Sequence, residues 1–269
     1  MARTGFVMGA AAGLILLSAT AWLASPLQGG ETAGPVQSAG GSEKALTVTG
    51  IVIRDEQAVY APEGEYTLAL AAEGGRVAAG GAVIAAANTR EGLMCAARDC
   101  ARNDAGVARE LARRAVYAAA AGREELAEPL AALYEPAVDE PYELATAESS
   151  AVWCAHSDGL EYLSPDVLNE VDAGTLHDMF SLEPVNSGAA GKLVSSNIWY
   201  FAAILPASQS ALEGSEALLR FEDFEATARV SFAGGAESGE RAVVFAVNED
   251  LTRALDLRVC EAQVVMKAD

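Results

Sequence analysis

Lysine is nearly missing from this sequence: Lys44, Lys192 and Lys267 are all it has. With arginine included, 18 basic side chains face 38 acidic ones, a formal net charge of −20. That excludes nucleic acid as a partner, because neutralising phosphates needs a basic surface. The deficit is uneven. Residues 89–134 are neutral, with 7 side chains of each sign, whereas residues 135–269 carry 24 acidic against 7 basic ones. The middle segment therefore reads as a separate structural unit between solvated acidic flanks.

Histidine is scarcer still, with only His156 and His177, and cysteine stops at four. Two disulfides are the arithmetic alternative in an exported chain. The spacings, however, are not those of a disulfide-dense scaffold, and the chain is long enough to fold on its core alone. Cys95 and Cys100, five apart on one expected helix, project from divergent faces and cannot form a local bridge. Four partly buried thiols are expected.

Charge is also absent from residues 5–24 (GFVMGAAAGLILLSATAWLA). A helix of that length spans about 30 Å, the hydrocarbon thickness of a bilayer. Arg3 precedes the run and Glu31 is the first charge after it, which places the N-terminus in the cytoplasm and the rest outside. Residues 1–27 are thus expected to be a membrane anchor, with a signal peptide cleaved after Ala19-Thr20-Ala21 as the alternative. Either way the remainder is exported. Residues 28–45, almost without large apolar side chains, form a flexible tether.

The folded part opens with alternating β-formers at residues 46–52, 56–60 and 66–70, with turn chemistry at residues 62–64. Next comes E-G-x-x-V-x-x-G-x-x-V, from Glu73 to Val83. Its glycines permit positive φ at tight turns, Gly80 above all, while Val77 and Val83 point into a small β-sandwich. Residues 90–134 are alanine-rich with helical spacing: Val107, Leu111, Ala115 and Ala118 share one face, as do Leu126, Leu130 and Leu133. Breaks are expected at residues 103–106 and Gly122. Residues 151–156 (AVWCAH) form a returning strand, with residues 160–163 as its partner. Ser164-Pro165 starts a short helix, and a second lies near residues 175–180. Six strands follow, at residues 193–196, 199–205, 217–221, 226–232, 242–247 and 262–265, which suggests a small barrel.

The stretch at residues 50–85 resembles half of a biotinyl/lipoyl carrier domain, but no lysine stands near residues 85–90 to be modified, so a swinging arm is excluded. Half-lipoyl segment, helical insert, returning strand and barrel together resemble the HlyD-like membrane fusion proteins, the periplasmic adaptor subunits of efflux and secretion systems, and their Gram-positive branch in particular. Residues 50–85, 157–168, 191–206 and 241–265 carry the resemblance. It implies a mainly β protein with an α-helical insert: an N-terminal membrane helix, a split lipoyl-like sandwich interrupted by a short helical hairpin, and a C-terminal barrel. The expected parts are residues 46–88 (first half-sandwich), 89–145 (insert), 146–191 (returning strand and short helices) and 192–269 (barrel). The insert is short for a tube-forming hairpin, and family members usually continue into a membrane-proximal β-domain where this chain ends at Asp269.

No constellation points to catalysis, cofactor or metal. Adjacent residues of an extended segment face opposite ways, so His156, Ser157 and Asp158 cannot align as a hydrolase triad. His156 and His177, with Cys154 or Asp178, lack a metal-ligand spacing. Asp139-Glu140-Glu143 and Glu222-Asp223-Glu225 follow no calcium-loop pattern. Trp199-Tyr200-Phe201 reads as barrel core. The alanine-rich face permits close helix packing within the hairpin, or with neighbouring copies. A non-catalytic, membrane-anchored adaptor that engages a transporter, and possible self-association, are therefore expected. An envelope scaffold for cell-wall or division machinery is the alternative, and a hydrolase the alternative of another class. The strands around Val77 and Trp153 should pair across the insert, which would then be a peripheral excursion.

Overall fold

The computed structural model describes residues 45–121, 140–185 and 188–267. The expected membrane helix at residues 5–24, the tether, the break at Gly122 and the Leu126–Leu130–Leu133 face lie outside them. No described helix is long and apolar enough to cross a membrane.

In chain order the first strands are β1 (Leu46–Ile53), β2 (Glu56–Val59), β3 (Tyr66–Ala69), β4 (Arg76–Val77) and β5 (Ala82–Ala87). Helices α1 (Arg90–Asn103) and α2 (Ala105–Ala120) follow, then β6 (Glu143–Thr146) and β7 (Ala151–Cys154). A 3-10 turn (Pro165–Leu168) and α3 (Ala173–Phe180) lead to β8 (Gly191–Val194), β9 (Trp199–Pro206), β10 (Glu216–Arg220), β11 (Glu225–Ala233) and β12 (Glu240–Val247). The one-turn α4 (Leu251–Ala254) and β13 (Val259–Met266) complete the set.

Six strands close an antiparallel barrel in the order β1-β13-β10-β11-β12-β9. The two-residue period of a strand explains its two faces. Val48 and Val52 of β1, Phe201 and Leu205 of β9 and Phe245 of β12 fill the interior. Their neighbours Ile51, Ile53, Ala202 and Val244 face outward, and Leu168, Leu176 and Met179 cover them. That covering accounts for the unbroken apolar run of β9, whereas β11 alternates buried and exposed positions as a strand with a wet outer face should.

The sandwich is a four-stranded sheet, β2-β8-β7-β4, against a three-stranded one, β3-β5-β6. Val59, Val77, Trp153 and Leu193 from the first meet Val83 and Ile84 from the second. As expected, β4 and β7 pair across the insert, with Arg76 opposite Val152 and Val77 opposite Ala151. Trp153 is 1% exposed.

Four expectations are corrected. First, β1 belongs to the barrel and β8 to the sandwich, so the barrel does not start at residue 192 nor the sandwich at residue 46. Alternation identifies a strand but not its partner. Second, residues 160–163 form a turn, closed by Leu163 N–H donating to the Leu160 carbonyl at 3.0 Å, and β7 pairs with β8 instead. Both leucines are buried beside α3, which satisfies their apolar character without a strand. Third, the insert ends earlier than residue 145, because β6 pairs with β5. Fourth, the helices are not a peripheral excursion. Ala96, Ala97, Val107 and Leu111 pack on Leu70 and Ala85 at the sheet's outer side.

The helical break falls at Asp104, inside the expected window. Its Oδ1 accepts from Gly106 N–H at 2.6 Å and from Val107 N–H at 3.3 Å, capping α2. Arg114 of α2 donates to the carbonyls of Ala69 at 2.6 Å and Ala71 at 3.1 Å, tying the helix to the strand beneath it.

Candidate functional site

The chain crosses from barrel to sandwich directly after β1, and this junction holds the most concentrated buried chemistry among the described residues. Arg54 follows β1 and Glu56 opens β2. Lys192 lies on β8, Arg258 leads into β13, and Asp158 and Glu161 sit in the loop after β7. Arg54, Lys192 and Arg258 are buried, as is Glu161.

Arg258 donates Nε to Asp158 Oδ2 at 2.9 Å and Nη2 to Asp158 Oδ1 at 3.1 Å, a two-pronged pair of the strong kind. It also bonds Glu56, and its Nη1 donates to the Val52 carbonyl at 3.1 Å. Lys192 Nζ lies 3.1 Å from Asp158 Oδ2 and 3.2 Å from Glu56 Oε1. Arg54 bonds Glu56 and the Ala254 carbonyl. Asp158 N–H donates to Glu161 Oε1 at 2.8 Å. Three cations thus share the carboxylates of Glu56 and Asp158, with Glu161 holding the Asp158 backbone.

Burial pushes the Glu56 carboxyl upward, yet Arg54, Arg258 and Lys192 together hold it below its ordinary value. Asp158 behaves alike, burial being outweighed by Arg258 and Lys192. Burial lowers Arg54, whereas Arg258, also pushed down by burial, is raised on balance by Glu56 and Asp158. The carboxylates of Glu56, Asp158 and Glu161 approach closely enough to hold a cation, but Lys192 and Arg258 already play that part. The arrangement joins the barrel and the sandwich.

Of the residues singled out in the sequence, Cys154 and His156 come together, beside Glu73, and the others do not join them. His156 is solvent-facing, with Nδ1 3.6 Å from Asp256, while Asp158 turns into the junction. His177 is on α3, 3.5 Å from Glu240 and well away in sequence and fold from Cys154. Glu225 pairs with Arg220 at 2.9 Å, and Glu222 and Asp223 are exposed. Asp139 lies outside the described residues. Trp199 and Phe201 are barrel core, with Trp199 Nε1 donating to the Glu249 carbonyl at 2.8 Å. All four cysteines are thiols; burial pushes Cys154 up to about 12 and Cys260 up to about 11.

Arg54, Glu56, Lys192 and Arg258 were not marked as site residues by the sequence. Their signal is faint but real: each cation interrupts or borders an apolar β-run (IVIRDE, GKLV, DLRVC) in a chain poor in basic residues.

No protein-family model matches the chain, and no curated protein does. Among solved structures it is similar to ZneB from Cupriavidus metallidurans, at 12% identity over 84% of this chain and 71% of that one, with a TM-score of 0.38. It is also similar to the membrane fusion protein Spr0693 from Streptococcus pneumoniae R6, at 14% identity over 83% and 100% of the respective chains, with a TM-score of 0.33. Likenesses this distant decide nothing about function.

Proposed function

We propose that this chain is a non-catalytic adaptor of the membrane fusion type, of the Gram-positive branch, held in the cell membrane by residues 5–24 with its folded part outside. The nesting of its modules is the observation that supports this most. One strand of the barrel comes first and the other five come last. Between them lies the sandwich, and within the sandwich lie the helices. Such a chain goes out and returns through the same modules, so the helical segment is the part furthest along the path from the barrel. The buried ion pairs fix the barrel to the sandwich where that path begins. A chain path that leaves the barrel and returns to it through the same modules suits bridging between partners.

The partner proposed is a transporter subunit, engaged through the helical segment, with self-association as a further property. Membrane fractionation followed by affinity purification of the full chain tests this. The expected outcome is retention in alkaline-washed membranes, digestion by protease added from outside, and co-purification of an integral membrane transporter subunit. A soluble product beginning at Trp22 would remove the anchor. Co-purification of cell-wall or division proteins instead of a transporter would favour an envelope scaffold.

A further inference from the structure

We propose that Glu73, Cys154 and His156 form a binding site for a divalent cation of the zinc class, with Asp256 beside it as the fourth group. The proposal is independent of the adaptor role.

The three residues each offer one ligand atom, and these atoms lie within 4.8 Å of one another. With bonds of about 2.0–2.3 Å, neighbouring ligand atoms of tetrahedral zinc stand about 3.3–3.8 Å apart. Asp256 Oδ1 already meets that spacing, at 3.8 Å from Cys154 Sγ and 3.6 Å from His156 Nδ1. Glu73 and His156 are exposed, so modest rotation closes the remaining distance, while the buried Cys154 supplies a fixed floor.

The backbone brings these residues together. Trp153 N–H donates to the Gly75 carbonyl and Gly74 N–H to the Trp153 carbonyl, both at 2.9 Å, clamping the 73–75 turn onto β7. Glu73 Oε2 then accepts from Ala155 N–H at 2.7 Å, which positions the carboxylate and leaves its other oxygen available. Among the described residues, Glu73 and Asp256 have no lysine or arginine partner: Glu73 accepts from the Ala155 N–H, and Asp256 lies beside His156. On binding, the thiol proton leaves to solvent and the thiolate sulfur takes its place on the metal. Sulfur and imidazole together select zinc-like ions over calcium or magnesium, which prefer oxygen alone. The sequence spacing concealed the cluster because Glu73 and Asp256 come from distant parts of the chain.

Titration of the full chain in detergent with Co²⁺, followed by displacement with Zn²⁺, tests the site. One Co²⁺ per chain is expected, with a thiolate-to-cobalt charge-transfer band and the strong visible bands of tetrahedral cobalt. Cys154→Ser should abolish the charge-transfer band, and Cys260→Ser should leave it intact. His156→Ala and Glu73→Gln, exposed and therefore neutral to folding, should each weaken binding about 10–100-fold. Absence of the band, its survival in Cys154→Ser, or indifference to both exposed variants would overturn the proposal. If Cys154→Ser fails to fold, the two exposed variants decide.

Discussion

Arg258 holds Asp158 by two parallel hydrogen bonds, Nε to Oδ2 at 2.9 Å and Nη2 to Oδ1 at 3.1 Å, joining the start of the last barrel strand to the loop after β7. Replacing the arginine strands Asp158 and Glu56 with less compensation in a largely dry junction. Arg258→Met is expected to lower stability by about 3 kcal/mol in denaturant unfolding, the range for breaking a buried pair from one side. The Arg258→Met/Asp158→Asn double variant should lose less than the sum of the singles. Strict additivity would mean the two side chains do not act together.

The same junction predicts acid sensitivity. Glu56 and Asp158 have folded-state pKa values below their ordinary ones. Their contribution is therefore fully present above the unfolded-state values of about 4, and is lost as pH falls through the depressed folded-state values. Glu56→Gln has no such charge to lose. Its melting temperature should lie well below the wild type at neutral pH, with the gap narrowing as the pH drops under about 4. Parallel curves for the two proteins would show that Glu56 is not the group responsible.

Gly80 sits at φ +76°, and a Cβ placed there meets nothing within 4 Å. Any penalty is thus backbone strain and not crowding. Gly80→Val should cost about 1–3 kcal/mol and Gly80→Asn clearly less, since asparagine tolerates the left-handed region. Gly191 is the opposite case: a Cβ would strike the Trp153 ring and come within 2.5 Å of the Cys154 carbonyl. There Asn should be no better than Ala. Equal responses at the two positions would sink the distinction.

What could be read from the sequence follows what each residue pattern encodes. β11 was legible because alternation records which face is dry, and β9 and β12 because their runs of β-formers are bounded by turn residues. The membership of β1 was not, because its partners β13 and β9 come from the far end of the chain, and alternation is silent about pairing. β6 escaped because Glu143–Thr146 has one large apolar residue, Leu144, and that residue is exposed. The ion cluster was invisible for a different reason. Its six members span residues 54–258, and only the fold makes a set of them.

The helices supply the last prediction. Had they been a peripheral excursion, truncating one of their side chains would leave the β-domain unaffected. Instead Leu111 is 2% exposed and shares a core with Leu70 and Ala85 of the sandwich, while Arg114 caps the Ala69 and Ala71 carbonyls. Helix and sheet should therefore unfold as one unit. Leu111→Ala is expected to cost about 2–4 kcal/mol, as burial loss plus cavity predicts, in a transition that stays single when followed by far-ultraviolet circular dichroism and, in a Trp22→Phe/Trp199→Phe background, by Trp153 fluorescence. Excising residues 90–139 behind a short linker should do more harm, because it uncovers Leu70, worth about 1.5–3 kcal/mol of apolar burial, and removes both carbonyl partners at once. Two separated transitions in Leu111→Ala, with the tryptophan signal unmoved, would show that the helices melt independently and that the sandwich stands without them.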